Sequence, residues 1–213
     1  MSSILSVRWT ITPLLAPQPW LHCSRCRASR CFRSSDRFRV NANGRRIDAW
    51  LIYRCTACDG TWNRPVVERR EVSTLGRPLL QALQANDPDL VHRLAFDAAS
   101  LGRWTAQVRE FDEVLVTRQV LSEGSRPFQR LEIECRVSQA TGLRADRLLA
   151  SELGLSRNAI RKLGRSSQLV TMPPDVDLRR PLRDGLLLII DTASLPEGIV
   201  EHAAGRSVPS RPA

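Results

Sequence analysis

The 213-residue sequence is poor in lysine, tyrosine, methionine and histidine: it has one lysine (Lys162), one tyrosine, two methionines and three histidines. The histidines are scattered, which disfavours catalytic sites built on a histidine base or on several histidine ligands. No apolar run approaches the roughly 18 residues that a membrane-spanning helix needs. Residues 1–19 lack the basic start and the long apolar centre of a signal peptide. We therefore expect a cytoplasmic protein without membrane partners.

Acidic residues are also scarce relative to arginine, and the formal net charge is +10. Residues 1–74 hold 13 basic and 5 acidic side chains, residues 75–135 hold 7 and 9, and residues 136–192 hold 10 and 6. Two basic blocks around an acidic middle suggest a polyanionic partner, with nucleic acid the first candidate. The alternative is a basic surface that serves solubility alone.

Four of the six cysteines form two Cys-x-x-Cys pairs, Cys23 with Cys26 and Cys55 with Cys58, separated by 28 residues. Two intervening residues allow a tight turn to direct both sulfurs at one ion, so the pattern predicts a tetrahedral four-cysteine site for one structural Zn²⁺. Two disulfides or unligated thiols are the alternatives, and disulfides require an oxidising compartment. Cys31 and Cys135 lack such a partner, and we expect neither to bind the metal.

The segment between the pairs has the pattern of a β-hairpin. Residues 37–41 alternate polar and apolar, Asn43-Gly44 is a hairpin signal, and residues 47–53 are rich in strand-forming side chains. Residues 6–12 also alternate and predict a strand. We interpret residues 1–74 as a zinc ribbon. This small domain is also the expected docking site of a possible protein partner.

The rest of the chain predicts an α+β fold. Residues 75–105 are typical of a helical linker, and residues 106–192 of a small αβ domain with strands at 113–121 and 128–137 and two short basic helices. The composition of residues 193–213 predicts a disordered tail.

The two basic helices carry the second candidate site. Asp146 is predicted to cap the first helix and Ser156 the second. Arg157, Arg161 and Arg165 recur every four residues and should form one exposed row, with Lys162 beside it and no acidic neighbour. The candidate nucleic-acid-binding residues are Arg144, Arg147, Arg157, Arg161, Lys162 and Arg165.

This stretch resembles two families. Residues 144–149, the Leu-Gly-Leu-Ser-Arg run at 153–157 and the basic second helix resemble the opening of the αL RNA-binding domain of ribosomal-protein type, and residues 169–170 and 184–190 fit its strands. Pro173 and Pro174 stand where that family usually has an Asn-Gly type turn. Ala150, Gly154 and Ile160 also occupy the packing and turn positions of a DNA-binding helix-turn-helix.

The chain as a whole resembles the bacterial family catalogued as domain of unknown function 1062. The shared features are residues 9–13, both Cys-x-x-Cys pairs, and residues 38–43, 50–55 and 61–63. The resemblance implies a bacterial cytosolic protein and no activity.

We therefore expect a non-catalytic protein that is stabilised by zinc and binds structured RNA. The alternatives are a helix-turn-helix transcriptional regulator that binds DNA and a zinc-ribbon module that binds a protein partner. An enzyme is the least expected class, because four cysteine ligands leave no open metal position for water.

Overall fold

A computed structural model describes residues 3–196 and 198–206. The strands are β1 (Ile4–Pro13), β2 (Gln18–Cys23), β3 (Ala28–Asn43), β4 (Arg46–Cys55), β5 (Thr61–Glu71), β6 (Val108–Arg109), β7 (Val114–Glu123), β8 (Arg130–Val137), β9 (Leu169–Met172) and β10 (Leu187–Asp191). The helices are α1 (Arg77–Ala85), α2 (Pro88–Ala95), α3 (Ala98–Leu101), α4 (Ala145–Glu152), α5 (Arg157–Arg165) and α6 (Ile199–Ala203).

The chain forms two compact units, one inserted in the sequence of the other. We call residues Leu15–Phe111 the inserted unit. Residues Met1–Leu14 and Asp112–Ala213 together make the flanking unit. Each unit contains one five-stranded sheet and one apolar core.

The inserted unit contains an antiparallel sheet in the order β5-β4-β3-β2-β6. Strands β3 and β4 form the predicted hairpin, and Gly44 adopts a φ of +60° in its turn, a conformation that glycine reaches without a Cβ clash. Alternate residues of β4 are buried with apolar residues of the three helices. The fully or nearly fully buried members are Ile47, Ala49, Leu51, Tyr53, Leu83, Leu90, Val91 and Leu101.

A buried arginine joins three elements of the inserted unit. Arg64 on β5 is 1% exposed, and its Nη1 donates hydrogen bonds to the Tyr53 hydroxyl (3.1 Å) and to the Leu94 carbonyl (2.6 Å). Burial raises the pKa of Tyr53. This arginine therefore ties β4 and β5 to α2 through bonds to neutral oxygens.

The flanking unit contains a mixed sheet in the order β7-β1-β8-β10-β9. Strand β1 runs antiparallel to β7 and parallel to β8, while β10 runs antiparallel to both β8 and β9. Leu5, Val7, Trp9 and Ile11 on one face of β1 are fully buried. Leu148, Leu149 and Ile160 of α4 and α5 belong to the same core.

The structure corrects the predicted fold class. The chain is mostly β, with 41% strand and 24% helix, and not an α+β arrangement of a zinc ribbon, a helical linker and an αβ domain. The hairpin is the centre of a five-stranded sheet, and α1–α3 contribute buried residues to its core instead of linking two domains. Strand β1, predicted as part of the ribbon, pairs with β7 and β8. Local patterns indicated these elements correctly, but strand pairing across more than 100 residues has no local signal.

Helix α6 lies within residues 193–213, for which the composition predicts disorder. Ala203 of α6 is fully buried, and its carbonyl accepts a hydrogen bond of 2.8 Å from Trp9 Nε1. Residue 197 and residues 207–213, also part of the predicted tail, lie outside the described residues. Within the described ranges, no helix is both long enough and apolar enough to cross a membrane.

Candidate functional site

The four paired cysteines lie at one end of the inserted unit's sheet. Cys23 ends β2 and Cys55 ends β4, and the turn after each strand carries the second cysteine of its pair, Cys26 and Cys58. Strand β3 lies between β2 and β4 in the sheet, and Phe32 of β3 is paired with Cys55. Two β-hairpin turns therefore bring the two halves of the cluster together, as the spacing predicts.

The sulfur atoms are close enough to hold one metal ion. All four Sγ atoms lie within 4.8 Å of one another. Two of the separations are 3.5 Å, between Cys23 and Cys58, and 3.9 Å, between Cys26 and Cys55. A tetrahedral site with metal–sulfur bonds of about 2.3 Å requires sulfurs about 3.8 Å apart. The residues therefore fit a four-thiolate metal site.

The two turns share a backbone feature that shapes the cluster. The residue after each second cysteine adopts a left-handed conformation, with a φ of 51° at Arg27 and 54° at Asp59. In the second turn the Cys55 amide donates to the Gly60 carbonyl (2.8 Å) and the Asp59 amide donates to the Cys55 carbonyl (3.0 Å). These bonds close the turn around the sulfurs.

Gly60 is a residue that the spacing rule did not single out. A Cβ atom there would lie 3.2 Å from Cys58 Sγ, 3.4 Å from Cys23 Sγ and 3.2 Å from Arg25 Cδ. A side chain there would force these atoms to move by a few tenths of an ångström. The packing of the cluster sulfurs therefore favours glycine at this position.

The electrostatics of the cluster favour a bound cation. The backbone amide of Cys26 donates to the Cys23 sulfur and is the main cause that lowers the pKa of Cys23 to about 7. The hydrogen bond with Cys58 and burial raise the pKa of Cys26 to about 12. Ionisation of one thiol is thus favoured and that of its neighbour is opposed, chiefly by the hydrogen bond and by burial, with a smaller contribution from the negative charge of Cys23. A divalent cation would stabilise all four thiolates, because its positive charge offsets both burial and mutual repulsion.

The two remaining cysteines lie outside the cluster. Cys31 and Cys135 are free and buried. The Cys31 carbonyl accepts hydrogen bonds from the Thr56 amide (3.0 Å) and hydroxyl (3.1 Å), which supports the second turn. Burial raises the pKa of Cys135 to about 12, as expected for a small core residue.

Helix α5 of the flanking unit carries the exposed basic row. Arg157, Arg161, Lys162 and Arg165 are exposed, while Ile160 and Leu163 are buried. Ser156 caps the helix, as predicted, because its hydroxyl accepts a hydrogen bond of 3.1 Å from the Ala159 amide. Arg161 bonds the neutral Asn158 side chain. Within the described part of the chain, none of the four basic side chains has a carboxylate partner.

Two other candidate residues, Arg144 and Arg147, have carboxylate partners. Arg144 donates to both oxygens of Asp146, at 3.0 and 2.6 Å, and Arg147 pairs with Asp112. The prediction that Asp146 caps α4 is wrong. The N-cap position is Arg144, and Asp146 lies 1% exposed in the first helical turn. The sequence did not indicate this pairing, since an Asp near a helix start is most often a cap.

A cleft of about 560 Å³ lies beside α5. Its basic side chains are Arg161, Arg165 and Arg179, and its acidic side chains are Asp175 and Asp177. Asp177 is paired with Arg179. Val170 of β9 also lines the cleft and is 43% exposed. Neither Arg179 nor Val170 was a candidate from the sequence, because their proximity to α5 arises only when β9 is placed in the sheet.

Comparisons with known proteins give a family match. A family model described as "Protein of unknown function (DUF1062)" matches residues 40–173, which include Cys55, Cys58 and both basic helices. No curated protein and no solved structure shows a significant match. The family model covers more than half of the chain and supports the resemblance that the sequence indicates. The chain belongs to the DUF1062 family, proteins of unknown function.

Proposed function

We propose that this protein is a non-catalytic nucleic-acid-binding protein whose ligand is RNA and whose inserted unit is stabilised by one Zn²⁺. The observation that carries the proposal is the exposed row on α5. Arg157, Lys162 and Arg165 have neither an ion pair nor a side-chain hydrogen bond within the described residues, and Arg161 bonds only a neutral amide. Cations without carboxylate partners are available to phosphates.

Zinc suits the cysteine cluster better than the other common divalent ions. Thiolate ligands in a tetrahedral arrangement select zinc or iron, whereas magnesium and calcium prefer oxygen ligands. Zinc needs no redox partner, and four cysteines complete its coordination. The ion would therefore have a structural role, and Cys23, Cys26, Cys55 and Cys58 would hold it.

The geometry around α5 favours RNA over duplex DNA. Successive arginines of the α5 row are about 6 Å apart along the helix axis, which matches the spacing of phosphates along a strand. Beside the row lies the cleft with the exposed apolar side chain of Val170. Unpaired bases of RNA loops can enter such a cleft, whereas the bases of a duplex stay stacked. The succession of α4, α5, β9 and β10 also supports the resemblance to the αL RNA-binding domain.

One observation favours the DNA alternative. Helices α4 and α5 are joined by a short turn in which Gly154 adopts a φ of +62°, as in a helix-turn-helix. In that case the first residues of α5 would enter the major groove, and replacing them would relax base preference on duplex DNA. The same experiment tests both ligands.

The test is a titration of the zinc-loaded full chain with a labelled RNA hairpin and a labelled DNA duplex of equal length at two salt concentrations. The double variant Arg157→Ala/Arg161→Ala should weaken RNA binding for all sequences alike. It should also reduce the slope of log K against log salt by roughly 0.7–0.9 for each phosphate that is no longer neutralised. The variant Arg136→Ala/Arg183→Ala makes the same charge change at exposed positions outside α5 and is the matched control.

Core packing should survive both changes, because Ile160 and Leu163 carry the buried face of α5. Preferential, sequence-selective binding to the duplex would favour the helix-turn-helix alternative. No binding of either nucleic acid by the wild type would contradict the proposal and leave a protein-interaction module.

A further inference from the structure

The inserted unit has a second surface with the chemistry of a ligand site, the outer face of its sheet. Ala49, Leu51 and Tyr53 of β4 are fully buried in the core. The alternate residues Trp50, Ile52 and Arg54 belong to the opposite face. Trp50 and Ile52 are half-buried and Arg54 is exposed. This face therefore presents an indole and an aliphatic side chain in line along one strand.

Arginines of the neighbouring strand flank these side chains. Arg39 of β3 is paired in register with Trp50, and its guanidinium carbon lies 6.0 Å from the centroid of the indole ring. Arg33 of β3 is paired in register with Arg54. All three arginines are exposed. We call Arg33, Arg39, Trp50, Ile52 and Arg54 the sheet-face cluster.

The charges of this cluster are only partly balanced. Arg33 forms an ion pair of 3.2 Å with the exposed Asp59. Arg54 donates to two neutral oxygens, the Asp59 carbonyl (3.3 Å) and the Thr61 hydroxyl (3.0 Å). In the described residues Arg39 has no carboxylate partner. Adjacent arginines without matching carboxylates repel one another, and an anionic ligand relieves that repulsion.

The charge of the whole inserted unit points the same way. Residues 15–111 contain 16 arginines and 9 acidic residues, a net charge of +7 with neutral histidines. The flanking residues 1–14 and 112–213 contain 16 basic and 13 acidic residues, a net charge of +3. Most of the net positive charge of the chain is therefore in the inserted unit, which does not contain α5.

We infer that the sheet-face cluster binds an unpaired RNA segment, with a base stacked on Trp50 and the Arg39 guanidinium and with phosphates on Arg33 and Arg54. Indole rings and guanidinium planes are the surfaces on which unpaired bases stack. A duplex does not expose the faces of its bases to an indole ring. An acidic peptide would pair with the arginines, but its carboxylates would gain nothing from stacking on Trp50. The inference rests on the proposed function for its ligand class, but it uses other residues, in the other unit.

The experiment is a titration of the zinc-loaded full chain with an oligouridylate. Binding is measured by the quenching of tryptophan fluorescence and by the fluorescence anisotropy of a labelled copy of the same oligonucleotide. Bases stacked on Trp50 should quench its emission. In Trp50→Leu that component of the quenching should disappear and the affinity should fall by roughly 5- to 100-fold, the usual effect of removing one stacked base. Trp50→Phe keeps a ring and should retain most of the affinity.

Arg39→Ala tests the same surface without risk to the core, because Arg39 is exposed. It should weaken binding through lost stacking and leave the slope of log K against log salt nearly unchanged. Arg33→Ala, at another exposed position, removes a phosphate contact and should lower that slope by roughly 0.7, the value for one neutralised phosphate of a single strand. Arg93→Ala removes an equal charge from an exposed position on α2 and should change neither quantity. Zinc content and circular dichroism check that each variant is folded.

The outcomes separate this inference from the proposed function. If Arg157→Ala/Arg161→Ala abolishes RNA binding while the Trp50 and Arg39 variants bind like wild type, the sheet-face inference is overturned and the proposed function stands. If the α5 variant still binds the oligouridylate with quenching that Trp50→Leu removes, the inference stands and the role of α5 does not. An acidic peptide that competes fully, and that binds Trp50→Leu as tightly as wild type, would also overturn the inference.

Discussion

The two units each contain a five-stranded sheet, but they differ in how much apolar core holds it. The core of the flanking unit comprises 22 buried residues of the described chain, and that of the inserted unit comprises 14. Two of those 14 are Cys23 and Cys55 of the four-cysteine cluster. Small cores often need a disulfide or a metal as an additional cross-link. We therefore expect the inserted unit to depend on its metal and the flanking unit to depend on packing.

The largest effect is expected from the loss of one cluster cysteine, which should destabilise only the inserted unit. Cys55→Ser should release the metal and unfold the inserted unit, because structural zinc contributes about 10 kcal/mol or more of apparent binding free energy. Hydrogen exchange followed by mass spectrometry should show reduced protection in residues 15–111 and retained protection in β1, β8 and β10.

The variants Cys31→Ala and Cys135→Ala are the controls for that substitution. Both residues lie outside the cluster, so the metal content should stay at one ion per chain. A Cys55→Ser protein with full metal content and unchanged protection would contradict the role given to the cluster.

Truncation of one core leucine in each unit should destabilise that unit alone. Leu51 and Leu149 are both fully buried, one in each core. Replacing either by alanine removes the same atoms and should cost about 2–5 kcal/mol. Leu149→Ala should lower only the stability of the flanking unit, and Leu51→Ala only that of the inserted unit, as read from exchange in each unit. Equal effects of both variants on both units would show that the units do not unfold separately.

A pair of glycine substitutions tests the same difference on a smaller scale. Gly60→Ala places a Cβ against two cluster sulfurs and should cost about 1–3 kcal/mol. A chelator should then remove the metal at a roughly ten-fold lower chelator concentration. Gly164→Ala on α5 meets no atom within 4 Å and should stabilise the helix by up to about 1 kcal/mol. Unchanged metal affinity in Gly60→Ala would contradict the steric role of this glycine.

The smallest effect is expected from a pH-dependent ion network in the flanking unit. Arg206 and Arg126 both bond Glu123 and lower its pKa from 4.5 to about 2. Because the folded-state pKa is lowered, the stabilisation is present above about pH 4.5 and disappears as the pH falls towards 2. Glu123→Gln should therefore lower the unfolding temperature at pH 6, and the difference from wild type should vanish near pH 2.

Glu110→Gln changes an exposed carboxyl outside that network and is the control. Its unfolding temperature should follow that of the wild type throughout the titration. A Glu123→Gln difference that persists unchanged to pH 2 would mean that the network does not titrate as proposed.

The sequence was sufficient for features that local chemistry encodes. The two Cys-x-x-Cys turns, the Asn43-Gly44 hairpin and the Ser156 cap each depend on a few adjacent residues, and the structure contains all three. The family was also recognisable from short motifs in residues 9–63, and the family model that matches residues 40–173 confirms it.

Features that depend on distant residues could not be predicted in this way. Strand β1 is separated by more than 100 residues from its partners β7 and β8. Arg64 and Asp146 are buried only because the assembled sheets and helices enclose them. Gly60 lies against the cluster sulfurs because the turn folds over them. In each case the determining interaction is a tertiary contact, and neither hydrophobic periodicity nor residue spacing in the sequence predicts it.

The most direct test of the account is X-ray absorption at the zinc edge on the purified full chain, together with its metal content. The account predicts one zinc per chain with four sulfur ligands at about 2.3 Å. Cys55→Ser should lose this signal, and the double variant Cys31→Ala/Cys135→Ala should keep it. A protein without zinc, or zinc with nitrogen and oxygen ligands at about 2.0–2.2 Å, would contradict the four-cysteine centre.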